Sequence, residues 1–185
     1  MRPQPVLRVI SFLDVIGRVT GWIAMALILV MIGAMIYEVV ARKLFNSPTM
    51  WALTTSYMFN GTLFLLGAAY TLRANQHVRI DFLSIRMPLR VQHSINAAFY
   101  ILALLPALWF TTNFAYVKAM RAYTRGTLET MSAWEPLIWP FLTGITIGLA
   151  TFTIQVALET ARHLIGIVWP DEVAGPSVRE EHVEA

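Results

Sequence analysis

Cysteine is absent from the 185-residue chain, which removes disulfides, thiolate metal sites and thiol nucleophiles from consideration. Charge is also scarce: 14% of the residues are Asp, Glu, Lys or Arg, against about 25% in an average soluble domain. The shortage is uneven. Four runs, Val19–Tyr37, Trp51–Leu72, Ser94–Val117 and Pro136–Leu158, contain no Asp, Glu, Lys, Arg or His and together hold 88 residues. All the charged residues and all four histidines fall outside them. A soluble globular domain is excluded. Phosphate-binding loops, zincin signatures and nucleophile motifs are missing too, as are internal repeats, so nothing in the chain supports an enzyme.

What is present has the dimensions of a membrane. A hydrocarbon core about 30 Å thick requires roughly 20 apolar residues of helix, and a β-barrel strand would instead alternate its sides. The runs predict an all-α integral membrane fold, a bundle of four transmembrane helices spanning about 19–41, 51–72, 90–117 and 136–160. Residues 19–169 form one membrane domain, preceded by an amphipathic segment at 1–18 and followed by an acidic tail, 170–185, whose composition favours disorder. The first run is longer than the usual signal-peptide core and is read as a retained helix. Counted by connector, nine Lys and Arg residues lie on the side of the termini and the second connector, against five on the other. The positive-inside rule then places both termini in the cytoplasm. Trp51, Trp134 and Trp139 mark the outer interface, and Trp22 and Trp169 the inner one.

The connectors carry the remaining polarity. Arg8, Ser11, Asp14 and Arg18 recur at helical spacing, which fits either a segment lying in the interface or a first helix that begins early. The second connector mixes Arg73, Arg79, Asp81 and Arg86 with Val78, Ile80, Phe82, Leu83 and Ile85. It is too apolar for a free loop and too charged to insert, so it is expected at the cytoplasmic interface. The third connector, Lys118 to Glu135, contains Arg121, Arg125 and Glu129 and reads as a charged, turn-like stretch on the outer face.

Ionisable groups within a membrane are functional candidates, and few are found. Glu38 and Arg42 share a helix face four residues apart; they read as an ion or substrate carboxylate, or as an end-of-span ion pair or subunit contact, the second being the simpler. Asn60, Asn113 and Gln155 are amides suited to interhelical hydrogen bonds. Gly17 with Gly21, and Gly144 with Gly148, have the four-residue spacing that lets helices approach closely. Pro106 lies mid-span in the third helix and frees a backbone carbonyl, which reads as a kink or a gate, the kink being the simpler. A haem- or quinone-binding anchor of a redox complex would need imidazoles projecting into the bundle at matched depth. His77, His93 and His163 lie outside the apolar runs; His93 and His163 could meet near the inner surface, though an interfacial position is the plainer reading. His77 and Asp81 have no third partner for a metal. A self-sufficient small transporter is the remaining alternative, and the scarcity of buried charge weighs against it.

The run Tyr37-Glu-Val-Val-Ala-Arg42-Lys-Leu-Phe-Asn46-Ser-Pro48-Thr-Met-Trp51 resembles the first-loop signature of the small membrane subunit of TRAP transporters, the DctQ type. Phe64-Leu-Leu-Gly67-Ala-Ala-Tyr70-Thr-Leu-Arg73, followed by His77-Val-Arg79-Ile-Asp81, is similar to the same family, as is the last helix with Trp139-Pro140, Gly148 and Gln155. Two places depart from the family pattern. Leu53, Thr54 and Thr55 stand where an acidic residue is common, and Thr146 stands where proline is frequent. The resemblance implies a bacterial inner-membrane subunit that braces a larger, elevator-type membrane subunit. That larger subunit imports an organic acid with sodium and receives it from a periplasmic substrate-binding protein. The basic residues flank the apolar spans rather than forming a patch, so no nucleic-acid partner is expected, and the histidine placement leads to the expectation of no cofactor and no metal. Candidate large-subunit contacts are Glu38, Arg42, Trp51, Asn60 and Gln155. Candidate binding-protein contacts are Lys118, Arg121, Arg125 and Glu129. Arg73, Arg79, Asp81 and Arg86 are candidates for the cytoplasmic interface.

Overall fold

A computed structural model describes residues 4–73, 89–130 and 132–168, and of residues 4–14, 73, 89 and 90 the backbone alone. Among these the chain is helical, apart from short connections and one isolated bridge between Leu128 and Leu137. The described residues form the α-helices α1 (Gln4–Leu44), α2 (Met50–Arg73), α3 (Leu89–Phe99), α4 (Leu105–Arg125) and α5 (Trp139–Val168). A π-helical turn, Tyr100–Leu104, fuses α3 and α4 into one rod. Among the described residues three stretches are long and apolar enough to cross a membrane: Val15–Leu44, Val91–Arg125 and Trp139–Val168.

The second expected span, α2, is long enough at 24 residues but less apolar, because Thr54, Thr55, Ser56, Asn60 and Thr62 lie along it. Its position accounts for that composition. α2 packs between α1 and α5, and α5 in turn packs on α3 and α4, while α1 touches α5 only lightly. A helix flanked on both sides exposes less surface to lipid and can carry more hydroxyls. Several bond back to the helix itself, as Ser56 does to the Ala52 carbonyl at 2.8 Å, so they add little polarity to the surface.

α1 meets α2 through one stripe. Gly17, Thr20, Gly21, Ala24, Glu38 and Ala41 are buried, and half-buried Leu27, Met31 and Ala34 carry the stripe from Ala24 to Glu38 at spacings of three and four, whereas Leu29, Ile36 and Val39 stand exposed. Gly21 is needed there, since a Cβ would lie 2.5 Å from the Tyr70 ring. Of the two readings for the residues before the first apolar run, the structure takes the second: helix begins at Gln4 and continues unbroken.

Three sequence expectations change. The last helix does not stop near residue 160 but continues to Val168, because Leu158, Ala161, Leu164, Ile165 and Ile167 keep a helical apolar pattern past the first charges. Lys118–Arg125 is helix rather than loop. No breaker occurs before Gly126, which ends α4 in the left-handed conformation (φ 59°), a position that suits glycine. The disturbance at Pro106 takes the form of the π-turn just before it. The Leu105 N–H reaches back five residues to the Tyr100 carbonyl, which widens the turn where proline offers no donor. The acidic tail at 170–185 lies outside the described residues.

Candidate functional site

Polar groups gather at two places, one at each end of the bundle. At the α1–α2 corner Asn46 adopts φ 47°, the Ser47 N–H returns to the Ala41 carbonyl at 3.1 Å, and Pro48 prevents α2 from starting earlier. Thr49 therefore stands just before α2, within reach of Glu38. Arg42 donates to Glu38 Oε1 from Nε (3.0 Å) and Nη2 (2.5 Å). The Thr49 backbone N–H donates to Oε2 at 2.8 Å, and the Thr49 hydroxyl donates to the same oxygen. Four donors fill a carboxylate that is 3% exposed, so Glu38 acts inside the chain as a staple between two helices. Arg42 keeps 53% of its side chain exposed. Trp51 is exposed beside Tyr37, their ring centroids 5.7 Å apart.

The other candidates are spread apart. Asn60 is exposed midway along α2, in line with exposed Leu53, Tyr57 and Phe64. Gln155 is buried in α5, and its Nε2 has no hydrogen-bond partner among the described residues. Asn113 bonds to its own helix at the Trp109 carbonyl. Lys118, Arg121 and Arg125 are exposed on α4. Glu129 sits in a compact connection, where its N–H meets the Pro136 carbonyl at 2.8 Å. The Thr54 hydroxyl donates to Ser132 Oγ at 2.7 Å, tying that connection to α2. Arg79, Asp81 and Arg86 lie outside the described residues, and Arg73 is described only as the last residue of α2.

The second gathering is larger than the sequence reading gave weight to. His93 Nδ1 and His163 Nδ1 are 2.9 Å apart across α3 and α5. His163 Nε2 stands 3.7 Å from Glu159 Oε1, and Arg162 donates to Glu159 Oε2 at 3.0 Å. The Tyr100 ring lies 5.5 Å from the His163 ring. His163 and Glu159 are 4% and 5% exposed. Gly166 makes the approach possible, because a Cβ there would lie 2.9 Å from the His93 ring. The only signal in the sequence was that both histidines sit just beyond apolar runs, at ends facing the same side.

The chain matches the family described as tripartite ATP-independent periplasmic transporters, DctQ component, over residues 31–166. It belongs to that family. A DctQ component is part of a transporter and not an enzyme, and membership implies association with other TRAP components. Over 81 residues, 44% of the chain, it is 27% identical to the sialic acid TRAP transporter permease protein SiaT of Haemophilus influenzae (strain 86-028NP). It spans only 13% of that relative's length. The family match encloses both polar gatherings of this DctQ component, from Glu38 to His163. It gives the haem-anchor alternative no support.

Proposed function

We propose that this chain is the small membrane subunit of a binding-protein-dependent secondary transporter that imports an organic acid with sodium, and that it serves as scaffold to a large elevator-type subunit. In this reading four helices cross the bacterial inner membrane with both termini cytoplasmic. α2 is the fourth span, sheltered between α1 and α5. The chain leaves the solute to its partners: Glu38 is fully engaged within the chain, so no carboxylate at this corner is left to clamp a substrate or an ion. That the matched segment is a small part of a longer permease chain suits a subunit held beside a larger membrane partner.

Asn60 carries the proposal. An amide exposed midway along a bilayer-length helix is costly in hydrocarbon unless a neighbouring helix bonds to it. The stripe Leu53, Tyr57, Asn60 and Phe64 is thus the face on which the large subunit packs, with Arg42 at its outer rim. Asn60→Leu separates this reading from a lone helix bundle. It should leave the isolated subunit as stable as before or more so, yet lower co-purification of the large subunit and uptake by the complex. Unchanged co-purification and uptake would remove the stripe from the interface. Docking of the binding protein is assigned to Lys118, Arg121 and Arg125 with Glu129. Reversing charge at Arg121 and Arg125 should reduce uptake while assembly persists; full uptake would move docking to the large subunit.

A further inference from the structure

The scaffold role makes no use of the imidazole pair that joins α3 to α5. We propose that His93 and His163 form a proton-operated latch, a site that takes up protons and releases the α3–α5 seam when both rings become cationic.

The proton count follows from the geometry. Two nitrogens at 2.9 Å require one hydrogen between them, donated by one ring and accepted by the lone pair of the other. In the neutral pair, therefore, one ring carries its hydrogen on Nδ1 and the other on Nε2. Either ring can be the Nδ1 donor. One further proton enters at the Nε2 of the donor ring and leaves the contact intact, now with a cation as donor. A second proton has only the Nδ1 of the acceptor ring to occupy. Two N–H groups on two cations would then face each other across a contact that permits one hydrogen. The rings must part, and α3 must move from α5.

The surroundings make this a seam rather than a surface pair. Among the described side chains, the titratable and charged groups facing the pair are Glu159 and Arg162 on α5 and Tyr100 at the π-turn. Glu159 is already held by Arg162, so its charge is largely committed and does not stabilise a dication fully. Gly166 brings the backbone of α5 against the His93 ring, so the rings have no slack in which to slide apart without helix movement. The π-turn begins at Tyr100, seven residues after His93. It is a segment of the rod where the hydrogen-bond register already changes, and so a place for α3 to bend relative to α4.

The cysteine-free sequence allows a direct test in the full-length protein in lipid nanodiscs. Ile95 on α3 and Leu164 on α5 are exposed, and cysteines placed at both can carry spin labels. Pulsed EPR should give one narrow distance from pH 8 through the ordinary imidazole range near pH 6.5. At lower pH, as the second of the two coupled sites fills, the narrow population should be lost to a longer, broader one. In the same background His163→Gln and His93→Gln should each make the distance independent of pH. If the wild-type distance stays constant to pH 4.5, or changes identically in both variants, the latch does not exist. Should the variants fail to fold, histidine ¹⁵N NMR of the unaltered protein decides. Two separated proton-uptake steps, with the seam opening only at the second, uphold it. Two rings titrating independently overturn it.

Discussion

Over its first half α5 presents glycine to α2; over its second half it presents an amide, a carboxylate, a hydroxyl and an imidazole to its neighbours. In the first half a Cβ on Gly144 would meet Thr62 Oγ1 at 2.6 Å, and one on Gly148 would meet Leu65 Cβ at 2.8 Å. In the second, Gln155, Glu159, Thr160 and His163 are all buried. The two halves fail for different reasons. Close backbone approach gains dispersion along the whole contact and has no tolerance for added volume. A polar seam tolerates a change of volume better than the removal of a partner, because a buried group deprived of its partner keeps its full desolvation penalty.

The largest effect should come from adding volume to the glycine half. Gly148→Leu forces α2 and α5 apart, since the Leu65 Cβ it meets is fixed to the backbone. We expect a loss of about 3 kcal/mol, the upper part of the range for overpacking, read as a lowered thermal midpoint of the detergent-solubilised subunit. Wild-type stability would show that glycine here is incidental.

Removing a partner from the polar half comes next. Glu159→Ala takes the carboxylate from Arg162 and from the face of His163. Arg162 keeps 21% of its side chain exposed and can turn toward water, so the cost should fall below the 3–5 kcal/mol of a fully buried broken pair, at about 2 kcal/mol. If Glu159→Ala proves as stable as the parent while Gly148→Leu collapses, the second half of α5 is held by its apolar flank rather than by its polar groups.

The same division governs how much could be read from the chain alone. Gly144 and Gly148 are four apart, and Glu38 and Arg42 are four apart, so the helical period alone places each pair on one face. Both contacts were legible for that reason, although Thr49 as the second partner of Glu38, eleven residues on, was not. His93 and His163 are separated by 70 residues, and their meeting depends on which helices pair, at what height and in what rotation. No periodicity carries that information. Charge also misled at the ends of helices. Ending the fourth span near residue 160, at the first charges, ignored that α5 continues to Val168, with its charged face turned to α3 and its apolar face outward. Asn60 was visible as an amide, but its exposure follows from α2 lying between α1 and α5, which hydropathy does not encode.

A smaller effect tests polar contacts away from the seam. Thr54→Val removes the hydroxyl that donates to Ser132 at the end of α2. Interhelical hydrogen bonds in membrane proteins average about 0.6 kcal/mol, and Ser132 Oγ also accepts from the Trp134 N–H at 3.2 Å, so it is not orphaned. The loss should be near that value, measured as a small fall in thermal midpoint. A loss as large as that of Glu159→Ala would mean that hydroxyl contacts bind the bundle as firmly as the charged seam does.

Gly33→Ala is the smallest change and should have the opposite sign. Gly33 lies on α1 with nothing within 4 Å of the Cβ it would gain, in contrast to Gly148. Alanine is favoured over glycine inside a helix by up to about 1 kcal/mol, and no neighbour opposes the methyl group here, so the isolated subunit should melt slightly higher. The result bears on assembly as well. If the variant is stabilised alone but recovers less large subunit on co-purification, then α1 also presents a close-packing glycine outward, and the interface extends beyond the Asn60 stripe. If recovery is unchanged, Gly33 faces lipid, and the close packing of α1 is spent within the chain, at Gly21 against Tyr70.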